Sequence, residues 1–193
     1  RVFSKLLLNY AWWINRKDAD GHNLFEGGFL GLDNISVYDR SKPLPHGYTL
    51  KQADATGWMA MFALNMTAMA LELCVEDPDH EDIAIQCYLQ FLAIAEAIAG
   101  AGETGMPSLW DPEAGFFKDL LVTPDGSTHR IDVYSWVGLI PLFATEVVDQ
   151  RLLVVALGDG VLEIGDRVDP EHEGQLPGLG GDRLDGLEHL GTE

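Results

Sequence analysis

The sequence predicts a mainly helical protein built of antiparallel helical hairpins with a small β excursion, and three observations carry that prediction. From Asp54 onward, apolar residues recur every three to four positions, the spacing that lines one face of a helix. Asp77-Pro78-Asp79 ends one such pattern and starts another, as expected where proline forbids the helix to continue. The stretch from Leu109 to Asp119 reads instead as two short strands with a turn at their centre.

Taken in order, residues 4–14 look like the end of a helix that is apolar nearly all round, as expected of an element packed on more than one side. Asn15 to Asn23 form a polar, Gly-containing break, followed by a Gly-rich segment to Asn34 and a long loop through Pro43, Pro45 and Gly47. The helix beginning near Asp54 presents Trp58, Phe62, Met66 and Met69 or Leu73, with Asp54 or Thr56 as its N-cap. Its successor, from about Glu81 to Ile98, presents Ile85, Tyr88, Leu89, Leu92 and Ile98 as its apolar face. These two helices form an αα-hairpin, the simplest way for each stripe to be buried by its sequence neighbour. Leu120 to Val122 and a Pro124-Asp125-Gly126 turn extend the β excursion, and a further helix is expected from about Ser135 to Gln150.

The chain has 193 residues, enough for one sizeable core. That core is expected within residues 1–150. No aromatic residue follows Phe143, and residues 149–193 hold nine glycines, eleven acidic residues and three arginines. Such a tail has little with which to offset the entropy of ordering, so residues 151–193 are expected to be poorly ordered beyond about Asp169. A marginal helix or strand is expected over Leu152 to Leu157.

With 31 acidic against 12 basic residues the net charge is −19, and no Lys/Arg cluster interrupts it. Nucleic acid is therefore not expected as a partner. The run from Leu6 to Ile14 is too short to span a bilayer and lacks a following cleavage pattern, so no membrane span or signal peptide is expected. Cys74 and Cys87 fall on separate helices and read as small buried apolar residues. The six histidines are too scattered for a zinc site, and HExxH, Gly-Lys-Ser/Thr and GxSxG patterns do not occur. No metal or other cofactor is expected.

The most informative segment is Gly27 to Ile35, where Asp33 is the single acidic side chain in a run of glycines and apolar residues. Apolar surroundings raise a carboxyl pKa, and indole rings offer flat surface for a sugar, so Asp33 is a candidate general acid in a carbohydrate cleft. The alternative is an aspartate that caps a helix or closes a turn. Glu26 is a candidate contact to a sugar hydroxyl, or a carboxylate bound to backbone N–H groups. For Arg40 a salt bridge to Asp39 or Asp18 competes with substrate contact, and for Asp54 an N-cap role competes with a place in the pocket. For Trp58 a core role, usual for helical tryptophans, competes with a partly exposed place in the pocket wall after the polar approach from Gln52 to Gly57. Trp110 and Asp111 fit a loop near the pocket mouth, with Asp111 holding the turn and Phe116 and Phe117 stapling it to the body.

Several blocks together carry a family resemblance: Asn15-Arg16-Lys17-Asp18, Phe25 to Ile35, Tyr38-Asp39-Arg40-Ser41, Gln52 to Ala60, Leu109 to Asp119 and Ser135 to Ala144. Over about residues 5–148, in order and with plausible separations, the chain resembles the catalytic domain of glycoside hydrolase family 63, the group related to processing α-glucosidase and mannosylglycerate hydrolase. The resemblance implies part of an (α/α)6 toroid, in which a terminal sugar bound in a central funnel is cleaved from an oligosaccharide or glycoside with inversion. It places the general acid on Asp33, and implies substrate contacts from Glu26, Phe29, Asn34, Arg40, Asp54, Trp58 and Trp110.

An inverting pair also needs a base carboxylate roughly 6.5–9.5 Å from the acid. In the family that base comes from a later part of the toroid, and no residue of this chain inherits it. Four or five helices are fewer than half of the ring, so the resemblance implies a fragment that is inactive alone. Its unclosed face is expected to weaken stability or drive self-association. Relatives occur in cytoplasmic and exported forms; a cytoplasmic location is the preferred expectation.

Overall fold

Helix α2, Ala53–Cys74, is the axis about which the rest packs. In this computed structural model residues 2–18, 21–26, 36–40, 42–101 and 105–147 are described, and all of them belong to one unit. The segment carrying Phe29, Asp33 and Asn34, and the acidic tail, lie outside the described residues.

Alanines and short side chains let neighbours approach α2 closely on several sides. Ala55, Met59, Ala60, Ala63 and Met66 are buried with Tyr10 of α1 (Val2–Ile14) and with Cys87 and Ile94 of α3 (Glu81–Ala99). Farther along, Ala70, Leu71 and Cys74 meet Ala84 of α3. Gly57 admits the backbone of a 3₁₀ segment, Trp136–Phe143; a Cβ on that glycine would lie 2.7 Å from the Pro141 nitrogen. The segment from Ser135 is thus a short 3₁₀ helix over these residues rather than the α-helix expected as far as Gln150. Pro141 removes a helical donor, and close packing on Gly57 holds the backbone there.

The αα-hairpin is present as expected. Asp77 accepts a hydrogen bond from the Asp79 nitrogen, Pro78 opens a 3₁₀ turn, and α3 follows directly. Gly100 ends α3 in the left-handed conformation at φ 67°, its N–H reaching the Ala97 carbonyl.

Two helix expectations are corrected. Of α1 only Tyr10 is buried; Phe3, Leu6, Leu7, Trp13 and Ile14 rest partly on the core, and Val2, Leu8 and Trp12 face outward, so α1 packs on one side. On α3 the buried stripe is Ala84, Cys87, Ile94 and Ala97, whereas Tyr88, Leu89 and Leu92 are 47%, 43% and 37% exposed. The first stripe packs in the core clusters that α2 also lines, and the second faces away from them.

Five short strands complete the described fold: β1 (Thr49–Lys51), β2 (Trp110–Asp111), β3 (Phe116–Phe117), β4 (Leu120–Val122) and β5 (Thr128–Arg130). Antiparallel β1-β4-β5 forms one sheet, pairing Leu50 with Leu121 and Leu121 with His129. β2 and β3 form the expected hairpin, in which Asp111 Oδ1 accepts from the Glu113 and Ala114 nitrogens. Strand β1 lies in what the sequence reads as loop, because three residues show no periodicity and their partner is about seventy residues away. The described chain is therefore predominantly helical with a small antiparallel β component.

Two stretches, Ala53–Cys74 and Pro78–Ala99, are long and apolar enough to cross a membrane by length and composition. α2 is for the most part surrounded by protein. Cys74 and Cys87 are buried free thiols, and burial pushes the Cys87 thiol up to about 11.

Candidate functional site

The N-terminal end of α2 gathers most of the candidate residues, and backbone bonds from distant segments build it. The Phe25 nitrogen donates to Thr56 Oγ1 at 3.1 Å and its carbonyl accepts from the Gln52 nitrogen at 3.0 Å, lashing residues 24–26 to the helix start. The Ala53 nitrogen, one of the donors a helix leaves unsatisfied, is taken by Asp119 Oδ1 at 2.8 Å from 66 residues away. Neither Asp54 nor Thr56 is the N-cap, then. Gln52 occupies that position without a side-chain cap bond, and Thr56 Oγ1 donates back to the Gln52 carbonyl.

Two buried cations stand here, each between two carboxylates. Lys51 Nζ donates to Asp18 Oδ2 at 3.1 Å and Glu26 Oε1 at 2.7 Å. Burial alone would lower the Lys51 pKa, but hydrogen bonds and charge attraction from Glu26 and Asp18 outweigh it and raise the value. Arg40 forks onto Asp54, with Nη1 3.0 Å from Oδ2 and Nη2 on Oδ1, and its Nε stands 3.5 Å from Asp119 Oδ2. The partners expected for Arg40, Asp39 and Asp18, hold Lys42 at 2.7 Å and Lys51 respectively. A guanidinium fork suits a bidentate carboxylate better than a single flexible neighbour in sequence.

Asp119 is 4% exposed, and its carboxyl is pushed up to about 6. Desolvation is the largest cause; Arg40 and the Ala53 N–H pull the other way. Because both oxygens are engaged inside the protein, this carboxyl organises the helix start and is not a group facing substrate.

Two cavities open beside this cluster, and Glu26 lines both. One, of about 220 Å³, has walls from Trp13, Phe25, Trp58, Met59 and Phe62. The other, of about 360 Å³, is polar and includes Tyr38, Arg40, Lys42, Tyr48 and Gln52. Of the residues singled out from the sequence, the structure brings Glu26, Arg40 and Trp58 to these cavities. Asp54 stands behind Arg40. Trp110 is elsewhere, on the β2–β3 hairpin with its ring edge-on to Phe117, and lines neither cavity. Asp33, Phe29 and Asn34 lie outside the described residues. Among the described residues no group of His, Cys, Asp and Glu is placed to hold a metal ion.

Sequence reasoning missed Lys51, Gln52 and Asp119. A buried lysine in a three-residue strand carries no periodic signal, and the pairing of Asp119 with a helix start depends on the fold of the intervening chain.

The site is thus a pair of cavities in a helical body, one aromatic and one polar, with Glu26 lining both. No family model matches the chain, and no solved structure matches it. Over 163 residues the chain is 45% identical to "Uncharacterized protein YMR196W" of Saccharomyces cerevisiae, an alignment covering 79% of this chain. It covers 15% of the length of that curated relative.

Proposed function

We propose that the chain is part of an inverting glycoside hydrolase of (α/α)6 toroid type, acting on α-linked glucosides or mannosides, with Asp33 as general acid. The observation that carries this reading is the place of Glu26. It directly precedes the Gly27–Asn34 motif and lines both the Trp13/Trp58 cavity and the polar cavity holding Arg40. Stacking faces beside a carboxylate are what a pyranose needs: apolar rings for its C–H face and acceptors for its hydroxyls.

In this reading the terminal sugar lies against Trp58, and Asp33 protonates the departing oxygen while water attacks from the opposite face. Phe29 and Asn34, from the same sequence motif, contact that sugar. Arg40 and Asp54, locked together, hold the polar wall in place. This reading assigns the base to no described residue, so hydrolysis requires a carboxylate from further toroid helices, and the chain by itself is inactive. Partners are glycosides and not nucleic acid, consistent with the net charge of −19. A soluble body rather than a membrane span is supported by the packing of α2 on three neighbours and by Glu81, Asp82, Gln86, Gln90 and Glu96 along α3.

A second reading, a sugar-binding or helical interaction module without catalysis, is favoured by one observation: the exposed Tyr88, Leu89 and Leu92 stripe.

The test begins by reading the genomic DNA on both sides of the coding segment for further hairpins and a late carboxylate. In the protein so completed, Asp33→Asn should lower kcat on α-linked substrates by about 10²–10⁴-fold with KM retained, and NMR of the wild-type product should show inversion. Undiminished turnover by Asp33→Asn, or retention of configuration, refutes the proposal.

A further inference from the structure

We infer that two copies of this chain associate by laying the outward face of α1 on one copy against the outward face of α3 on the other, a basic apolar stripe meeting an acidic one. The contact stands whether or not the chain cleaves glycosides.

Charge is distributed unevenly along the sequence. Residues 1–17 hold four of the 12 Lys and Arg residues and no acidic residue, whereas residues 52–117 hold eleven acidic residues and no Lys or Arg. Each segment contributes a helix with an apolar stripe turned away from the core. On α1, Leu8 is 74% and Trp12 51% exposed, on the side opposite the buried Tyr10. Exposed Lys5 stands one turn before Leu8, and the Arg16 guanidinium lies 3.8 Å over the Trp12 ring. On α3 the outward stripe is Tyr88, Leu89 and Leu92, with exposed Glu81 and Asp82 in the first turn and exposed Glu96 toward the other end. Among the described residues Lys5, Glu81 and Glu96 have no ion-pair partner within the chain.

Charge decides which of these faces meet. At a net charge of −19 two copies repel each other, so a contact needs local attraction to form. Setting α3 on α3 brings Glu81 and Asp82 against Glu96 or against themselves, whichever way the helices run, and α1 on α1 brings cation against cation. Of these pairings, α1 on α3 joins opposite charges while covering both apolar stripes. The dimensions agree. At about 1.5 Å per residue, Lys5 and Arg16 bracket the α1 stripe about 16 Å apart, and Asp82 and Glu96 bracket the α3 stripe about 21 Å apart, a difference that flexible side chains span. Trp12 with its stacked Arg16, and Tyr88 opposite, are the residue types that anchor interfaces. Two copies exchange both contacts about a twofold axis, or one contact repeats head to tail; either way α1 pairs with α3.

The test is sedimentation velocity of the full 193-residue chain at rising concentration. Lys5→Gln with Leu8→Gln should weaken self-association about tenfold, although no residue of α3 is changed. Glu81→Gln with Glu96→Gln should weaken it about fivefold, the opposite of what lowering a repulsive net charge does on its own. An equimolar mixture of the α1 variant with a Leu89→Gln, Leu92→Gln chain should sediment faster than either alone, because each supplies the face that the other lacks. All the substituted side chains are exposed, so urea midpoints should stay at the wild-type value. The near-isosteric Glu→Gln pair reads the contact even where an apolar substitution disturbs a helix. An α1 variant that associates as wild type does, or a Glu81→Gln, Glu96→Gln chain that associates more strongly, overturns the pairing in favour of α3 on α3. A mixture no heavier than its components overturns it too, and a wild-type chain that stays monomeric at every concentration overturns the interface itself.

Discussion

Replacing Asp119 by asparagine should change how stability depends on pH, and the size of the change follows from the buried cluster at the start of α2. The Asp119 carboxyl is raised from 3.8 to about 6 in the folded protein. Between those values the native state holds a proton that the unfolded chain has released, so stability falls as pH rises through this window and is fully reduced above it. A shift of two units at about 1.4 kcal/mol each corresponds to about 3 kcal/mol. At low pH this side chain is neutral in the wild type and the variant alike, and asparagine keeps an acceptor for the Ala53 nitrogen. At neutral pH the ionised carboxylate of the wild type bears the desolvation cost and the variant does not. Urea denaturation at about pH 4 and about pH 7 should therefore show the variant gaining about 3 kcal/mol relative to wild type across the interval. Other groups titrate in both proteins and cancel in this difference. A difference that stays constant with pH would mean that Arg40 and the helix N–H compensate burial fully, and would refute the argument.

Two further outcomes follow from packing. Gly57→Ala should lower stability by about 1–3 kcal/mol in a chemical melt, although alanine is the better helix former by about 1 kcal/mol. The added Cβ would stand 2.7 Å from the Pro141 nitrogen and 2.8 Å from its Cα, both backbone atoms that move only with the 3₁₀ segment; unchanged stability would show that this segment is loosely held. The isolated chain should self-associate through the exposed α3 stripe, and Leu89→Glu with Leu92→Glu should shift its sedimentation toward monomer. A wild-type chain that sediments as monomer at all concentrations would show that the stripe does not drive association.

The local features of the sequence were readable because each depends on residues close together. Asp77-Pro78 joins two helices wherever it occurs between apolar periodic segments, and Asp111 reaches its own turn nitrogens whatever packs outside. What was not readable depends on who stands opposite. Both stripes of α3 are apolar at helical spacing, so periodicity alone does not choose between Leu89 and Ala84. Packing against α2 and its neighbours makes the choice, and it is Ala84, Cys87, Ile94 and Ala97 that face them.

The candidate site divides in the same way. Sequence by itself determined a helical body, its hairpin and its β excursion, since composition and short-range spacing carry that information. Tertiary structure alone decided that Asp119 completes the start of α2, that Arg40 joins Asp54 and Asp119, that Trp110 stands away from the cavities, and that Glu26 joins an aromatic compartment to a polar one. Each of those outcomes brings together groups from separate segments, up to 66 residues apart in the case of Asp119 and Ala53. Hydrogen bonds and ion pairs act over a few ångströms of space, whatever the distance along the chain.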